Sequence, residues 1–67
     1  MYKTDVLHAF DNNQTKLSKF MRSRGWPLTQ PCVANWKPLI PELWARRLAD
    51  IPETGLTFNP DLYKVDL

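Results

Sequence analysis

The chain has one cysteine, Cys32, and one histidine, His8, among 67 residues. A lone thiol cannot build the disulfide framework on which small secreted domains rely. With no second histidine or cysteine there is no cluster at zinc-ligand spacing, so neither a metal nor any other cofactor is expected. Glycine is scarce too. Gly25 and Gly55 both have turn explanations, which leaves no glycine-rich loop to cradle a phosphate. There is no nucleophile–base set and no carboxylate pair with a cleft around it, so enzymatic chemistry is not expected. No apolar run approaches the ~20 residues that span a bilayer, and the opening MYKTDVLHAF lacks the apolar stretch of a signal peptide. Internal repeats and low-complexity stretches are absent. These absences point away from a membrane, a small-molecule ligand and a secreted scaffold, and toward a cytoplasmic protein.

What is present is a single small domain. Its hydrophobic content of 43% is ordinary for a globular protein and argues against global disorder. A chain this short buries only about 60% of its unfolded surface, so association with a second copy is a natural source of added stability.

The net charge of +2 hides an uneven distribution. Residues 1–40 carry Lys3, Lys16, Lys19, Arg22, Arg24 and Lys37 against Asp5 and Asp11, six cations to two anions, or +4. Residues 41–67 carry Arg46, Arg47 and Lys64 against Glu42, Asp50, Glu53, Asp61 and Asp66, three to five, or −2. A positive field confined to one half suits a polyanionic partner, although a solvated basic face on a small protein is the bland alternative.

Hydrophobic spacing predicts four to five short helices and a mainly all-α fold. Thr4–Phe10 reads as the first helix, with Thr4 as its cap and Val6, Leu7 and Phe10 on one face, which Tyr2 extends. His8 falls off that face and reads as a surface residue. Asp11-Asn12-Asn13 is a break, and Asn12 or Asn13 caps a second helix from Gln14 to about Arg22–Arg24. Leu17, Phe20 and Met21 form its inner face, with Lys16, Lys19 and Arg22 as a basic stripe alongside. Gly25 and Pro27 end it, and Trp26 and Leu28 lean on the core. Thr29 caps a third helix to about Lys37, with Pro31 in its first turn and Cys32, Val33 and Trp36 inward. Ile40 is expected to be buried. A fourth helix is predicted over about Pro41–Ile51, stopped by Pro52. After Gly55, Leu56-Thr57-Phe58 alternates as a short extended piece would. Asn59-Pro60 opens a last helical turn over Asp61–Tyr63.

Helices two and three read together as a DNA-binding helix-turn-helix. A major groove admits one helix, which must present short side chains to base edges. On the outer face of helix three, Gln30 and Asn35 carry amides suited to adenine. Thr29 carries a hydroxyl, and Pro31 and Ala34 are small enough to meet a thymine methyl. Phosphate contacts would come from Gln14 at the head of helix two and from Lys16, Lys19, Arg22, Arg24 and Lys37 around it.

The stretches MYKTDVLHAF, QTKLSKFM, LTQPCVANWK, IPELWARRL and TGLTFNPDLY follow one another as they do in a known family. The chain resembles the Cro repressors of lambdoid bacteriophages, above all their all-helical branch, over nearly its whole length. V-A-N-W-K followed by I-P-E is the most telling part. The resemblance implies a transcriptional repressor that binds pseudo-palindromic operator DNA as a homodimer. It implies that Gln14 touches phosphate, that Thr29, Gln30, Pro31, Ala34 and Asn35 face the groove, and that Val33 and Trp36 are buried. Two departures stand out. Thr29 lies fifteen positions after Gln14, more than in the family's motif, so helix two is longer or the turn is larger. Leu43 and Trp44 stand where polar residues are expected. Trp44 is either an added dimer contact or a cover for the edge of the core. Leu56 and Phe58 are further dimer candidates, since Leu56–Phe58 could pair with its twin.

Two other readings compete. One is a protein-interaction module, a small helical phage or antitoxin component, using Leu43 and Trp44 on a partner protein. The other is an architectural factor that bends DNA.

Overall fold

Four helices and two single 3-10 turns make up the computed structural model, which describes residues 1–64; Asp66, counted above among the acidic residues, lies outside them. The helices are α1 (Lys3–Ala9), α2 (Gln14–Ser23), α3 (Gln30–Ala34) and α4 (Glu42–Ala49), and the turns are Pro52–Thr54 and Pro60–Tyr63. The fold is all-α, and among the described residues there is no strand. None of the helices is long and apolar enough to cross a membrane.

Side-chain caps fix where the central helices begin. Asn13 Oδ1 accepts the Lys16 N–H at 3.1 Å, and Thr29 Oγ1 accepts that of Cys32 at 3.4 Å. Each satisfies one of the donors that a helix start leaves open, a contribution of about 1 kcal/mol. Thr4 does not play this role. α1 starts one residue before it, with Tyr2 as a cap that makes no side-chain bond. The reason is that the Tyr2 carbonyl already accepts from Asp5 and Val6 at 3.1 and 3.2 Å.

The helix ends are equally specific. The Gly25 N–H reaches the Arg22 carbonyl at 3.1 Å and that of Trp26 reaches Met21 at 3.0 Å. This 5→2 and 6→1 pair turns the chain sharply and needs a left-handed residue, which Gly25 supplies at φ +89°. Asp11 and Asn12, both at φ +57°, do the same after α1 without a glycine, and the Asn12 N–H bonds to the Leu7 carbonyl at 2.7 Å. The extra residues between Gln14 and Thr29 are thus used in both of the expected ways. α2 runs to Ser23, and a tight turn at Pro27 follows, closed by Leu28 N–H to the Trp26 carbonyl at 2.8 Å.

α3 is shorter than its spacing suggested. It stops at Ala34, three residues before Lys37. Asn35 is its C-cap, and the Trp36 N–H closes a tighter turn onto the Val33 carbonyl at 3.1 Å. Pro38 disfavours helical backbone at Lys37. At α4, Pro41 is the N-cap rather than the first helical residue.

The first residues of the chain and Tyr63 converge on the segment after α3. Tyr2 pairs with Leu39 in an isolated antiparallel bridge. Tyr2 is therefore 46% exposed instead of extending the apolar face of α1. The Tyr63 hydroxyl donates to the Ile40 carbonyl at 2.7 Å. The expected extended piece at Leu56–Phe58 forms no strand. Thr54 organises this region, since its hydroxyl donates to the Leu48 and Ile51 carbonyls at 3.0 and 2.9 Å and accepts the Leu56 N–H at 3.1 Å.

α2 and α3 pack on each other more extensively than any other helix pair. Leu17, Met21, Leu28 and Val33 are fully buried there, and Val6, Ile40, Ala45 and Leu48 close the core from the other elements. Each large apolar side chain so buried stabilises the fold by about 1.5–3 kcal/mol, more than any cap. Packing therefore holds α3, which is too short to persist alone.

Candidate nucleic-acid interface

Burial of Val33 and Trp36, with Cys32 half-buried, fixes how α3 is rolled on the core. That roll turns the opposite side outward. Thr29, Gln30, Pro31, Ala34 and Asn35 are all exposed. Pro31 sits in the first turn, where its missing N–H removes no helical hydrogen bond. The Thr29 oxygen is engaged as the cap, which leaves its O–H as a donor. Asn35 lies at the C-cap, so the two amide side chains stand at opposite ends of the short helix.

The six phosphate-contact candidates divide. Gln14 is the first residue of α2 and is half-buried. Neither α2 nor α3 has an acidic residue in its first turn, so the positive end of each helix dipole is not offset locally. Lys19, Arg22 and Lys37 are exposed and have no carboxylate partner among the described residues. The Arg22 Nε makes one long bond to the Ser18 carbonyl, 3.4 Å. Lys16 is paired with Asp11, and its hydrogen bond and charge hold the Asp11 carboxyl below the usual carboxylate range. Arg24 is paired with Glu53 and lies over the Phe20 ring, 5.0 Å from its centroid.

Comparisons of this chain with family models, curated proteins and solved structures find no match. The geometry therefore stands on its own residues.

Of the four residues considered for a dimer contact, one is exposed and three are half-buried. Leu43 is 56% exposed on α4. Trp44 beside it is half-buried, with its ring 6.4 Å from that of Trp36. Leu56 and Phe58 are half-buried against the chain's own core. The Phe58 ring stacks on Tyr63 at 5.4 Å and carries the Arg46 guanidinium 4.5 Å above it.

Three residues matter more here than their sequence context suggests. Lys3 Nζ donates to the Ala34 carbonyl at 3.2 Å, at the C-terminal end of α3. Arg47 lies between two indoles, 4.2 Å from the Trp26 centroid and 4.9 Å from that of Trp44. The Tyr63 hydroxyl accepts from the Met1 amine and donates to the Ile40 carbonyl. The Trp44–Arg47 spacing is visible in the helical repeat of α4. The Lys3 and Tyr63 contacts span 31 and 23 residues, and no local pattern announces them. Among the described residues the Trp36 Nε1 is buried without a hydrogen-bond partner, a cost of about 1–3 kcal/mol. A pocket bounded by Met1, Tyr2, Asp5, Leu56 and Leu62 shares no residue with the α3 face.

Proposed function

We propose that this chain is a sequence-specific transcriptional repressor that binds duplex DNA, similar to the all-helical Cro repressors. It sets α3 into the major groove of an operator half-site and occupies the full operator as a homodimer, in the cytoplasm of a bacterial host cell. The observation that carries the reading is the outward face of α3. Thr29, Gln30, Pro31, Ala34 and Asn35 are exposed together. Exposed Lys19 and Arg22 lie on the helix packed against it, and Lys37 follows it. Amides, a hydroxyl and small apolar groups suit base edges and thymine methyls, at about 1–3 kcal/mol of discrimination per good bidentate pair. Flanking cations supply the salt-dependent share of affinity and fix register. The base-reading face has no arginine, so sequence choice rests on amide, methyl and shape readout.

A second reading has one observation in its favour. Leu43, at 56% exposure, stands beside Trp44 and suits a protein partner. That module would show little duplex preference and would tolerate changes at Gln30 and Asn35.

Selection from a randomised duplex pool at near-physiological salt separates the readings. Enrichment of two inverted half-sites about one helical turn apart is expected of the dimeric repressor. A single enriched half-site would remove the dimer and keep the groove reading. Salt-sensitive binding with no enriched sequence would sink specific repression.

A further inference from the structure

We infer that Lys3 is a positioning residue for α3, acting through the end of the helix and not through DNA; this rests on the groove-reading role just proposed for that helix. A five-residue helix has almost no internal ladder, and its last carbonyls lack helical partners. The Ala34 carbonyl receives its partner from 31 residues away, the Lys3 ammonium at 3.2 Å. A cation at that end also complements the helix dipole.

Lys3 itself is fixed from below. Its backbone N–H donates to the Pro38 carbonyl at 2.8 Å, and the Ile40 N–H donates to the Met1 carbonyl at 3.1 Å, on either side of the Tyr2–Leu39 bridge. The Ile40 carbonyl in turn accepts from the Tyr63 hydroxyl at 2.7 Å. The segment leaving α3 is thus held at Ala34, Pro38 and Ile40 by residues from the two ends of the chain. Among those bonds, the Lys3 side chain is the one that reaches the helix itself. Asn35, an amide on the proposed base-reading face, is the very next residue. Its backbone N–H bonds to the Pro31 carbonyl at 3.1 Å, so loosening the Ala34 carbonyl loosens the residue that carries the amide.

The test compares wild type with Lys3→Met, which keeps the aliphatic stem, and Lys3→Arg, which restores a donor and the charge. In the free protein, amide hydrogen exchange at Asn35 and Trp36 is expected to quicken by about three- to tenfold in Lys3→Met, the effect of losing one solvent-exposed hydrogen bond. Leu17 and Met21 should be unchanged, and Lys3→Arg should restore most of the protection. Unchanged exchange at Asn35 and Trp36 would overturn the inference whatever the protein binds. On a duplex enriched from the random pool, Lys3→Met should lower the ratio of specific to general binding by about three- to tenfold and leave the salt slope as it is. A slope reduced by about 0.9, with specific and general binding weakened alike, would make Lys3 a phosphate contact and overturn the positioning role. If no duplex is enriched by any of the three proteins, the groove reading fails, and the exchange measurement still decides whether Lys3 holds the end of α3.

Discussion

On the α2–α3 side of the molecule, Lys19, Arg22 and Lys37 are exposed and have no carboxylate partner among the described residues. On the α4 side, the arginines are engaged. Arg46 covers Phe58 and pairs with Glu42, and Arg47 lies between Trp26 and Trp44. Arg24, at the end of α2, belongs with this second group through Phe20 and Glu53. Stacking a guanidinium on a ring contributes about 0.5–2 kcal/mol and covers apolar surface with the side-chain stem. A lysine in water contributes almost nothing to folding but remains available to a polyanion. The comparison teaches that cations on one small domain can serve two ends. One set holds the fold together, and the other is left for a partner.

Removing a stacked cation should have the largest effect on stability. Arg47→Ala is expected to lower stability by about 1–3 kcal/mol in thermal or denaturant unfolding, because two indoles lose their cover at once. Tyr63→Phe loosens the same side by about 1 kcal/mol through the lost bond to the Ile40 carbonyl. It also changes the pH profile. Burial, and then the charge of Glu42, push the Tyr63 phenol above its usual 10.0. The folded chain keeps a proton that the unfolded chain releases. That contribution is full below pH 10.0 and is lost as pH rises through the folded value. Part of the alkaline fall in wild-type stability should be missing from Tyr63→Phe.

Changes at the exposed cations and their partners should affect stability less. Glu53→Gln should move Arg24 from one group to the other. Exposed ion pairs are worth less than about 1 kcal/mol, so unfolding barely changes, while the salt slope of duplex binding steepens by up to about 0.9. Lys19→Ala and Lys37→Ala should each stay within about 0.5 kcal/mol of wild-type stability and flatten that slope by about 0.9. A salt slope that responds instead to Arg46 or Arg47 would put the polyanion on the α4 face.

Much of the fold was legible because local chemistry decided it. Asn13, Thr29 and Gly25 set helix ends by rules that act over a few residues, and Leu17 with Met21, then Val33 with Trp36, recur at helical spacing. The roll of α3, and with it the exposure of Gln30, Pro31, Ala34 and Asn35, follows from the same periodicity. The length of α3 did not, because apolar spacing persists through Trp36 while Pro38 and the Asn35 cap end the helix earlier. Nor did the division of the cations. Place along helix two made Lys16 and Arg24 phosphate candidates, and it did not announce their pairing with Asp11 and Glu53. The Arg24–Glu53 pair spans 29 residues, and only the packed chain brings its partners together. Tyr2 was misjudged for the same reason, since its partner Leu39 is distant in sequence.

The most direct test of the α3 reading is to run the randomised-duplex selection in parallel with wild type and Asn35→Ala. Asn35 is exposed at the helix cap, so its removal should leave the fold intact. The account predicts that one base position per half-site loses its preference, at a cost of about 1–3 kcal/mol on the wild-type sequence, while the rest of the motif is retained. The same motif enriched equally well by both proteins would contradict the assignment of the α3 face to base reading.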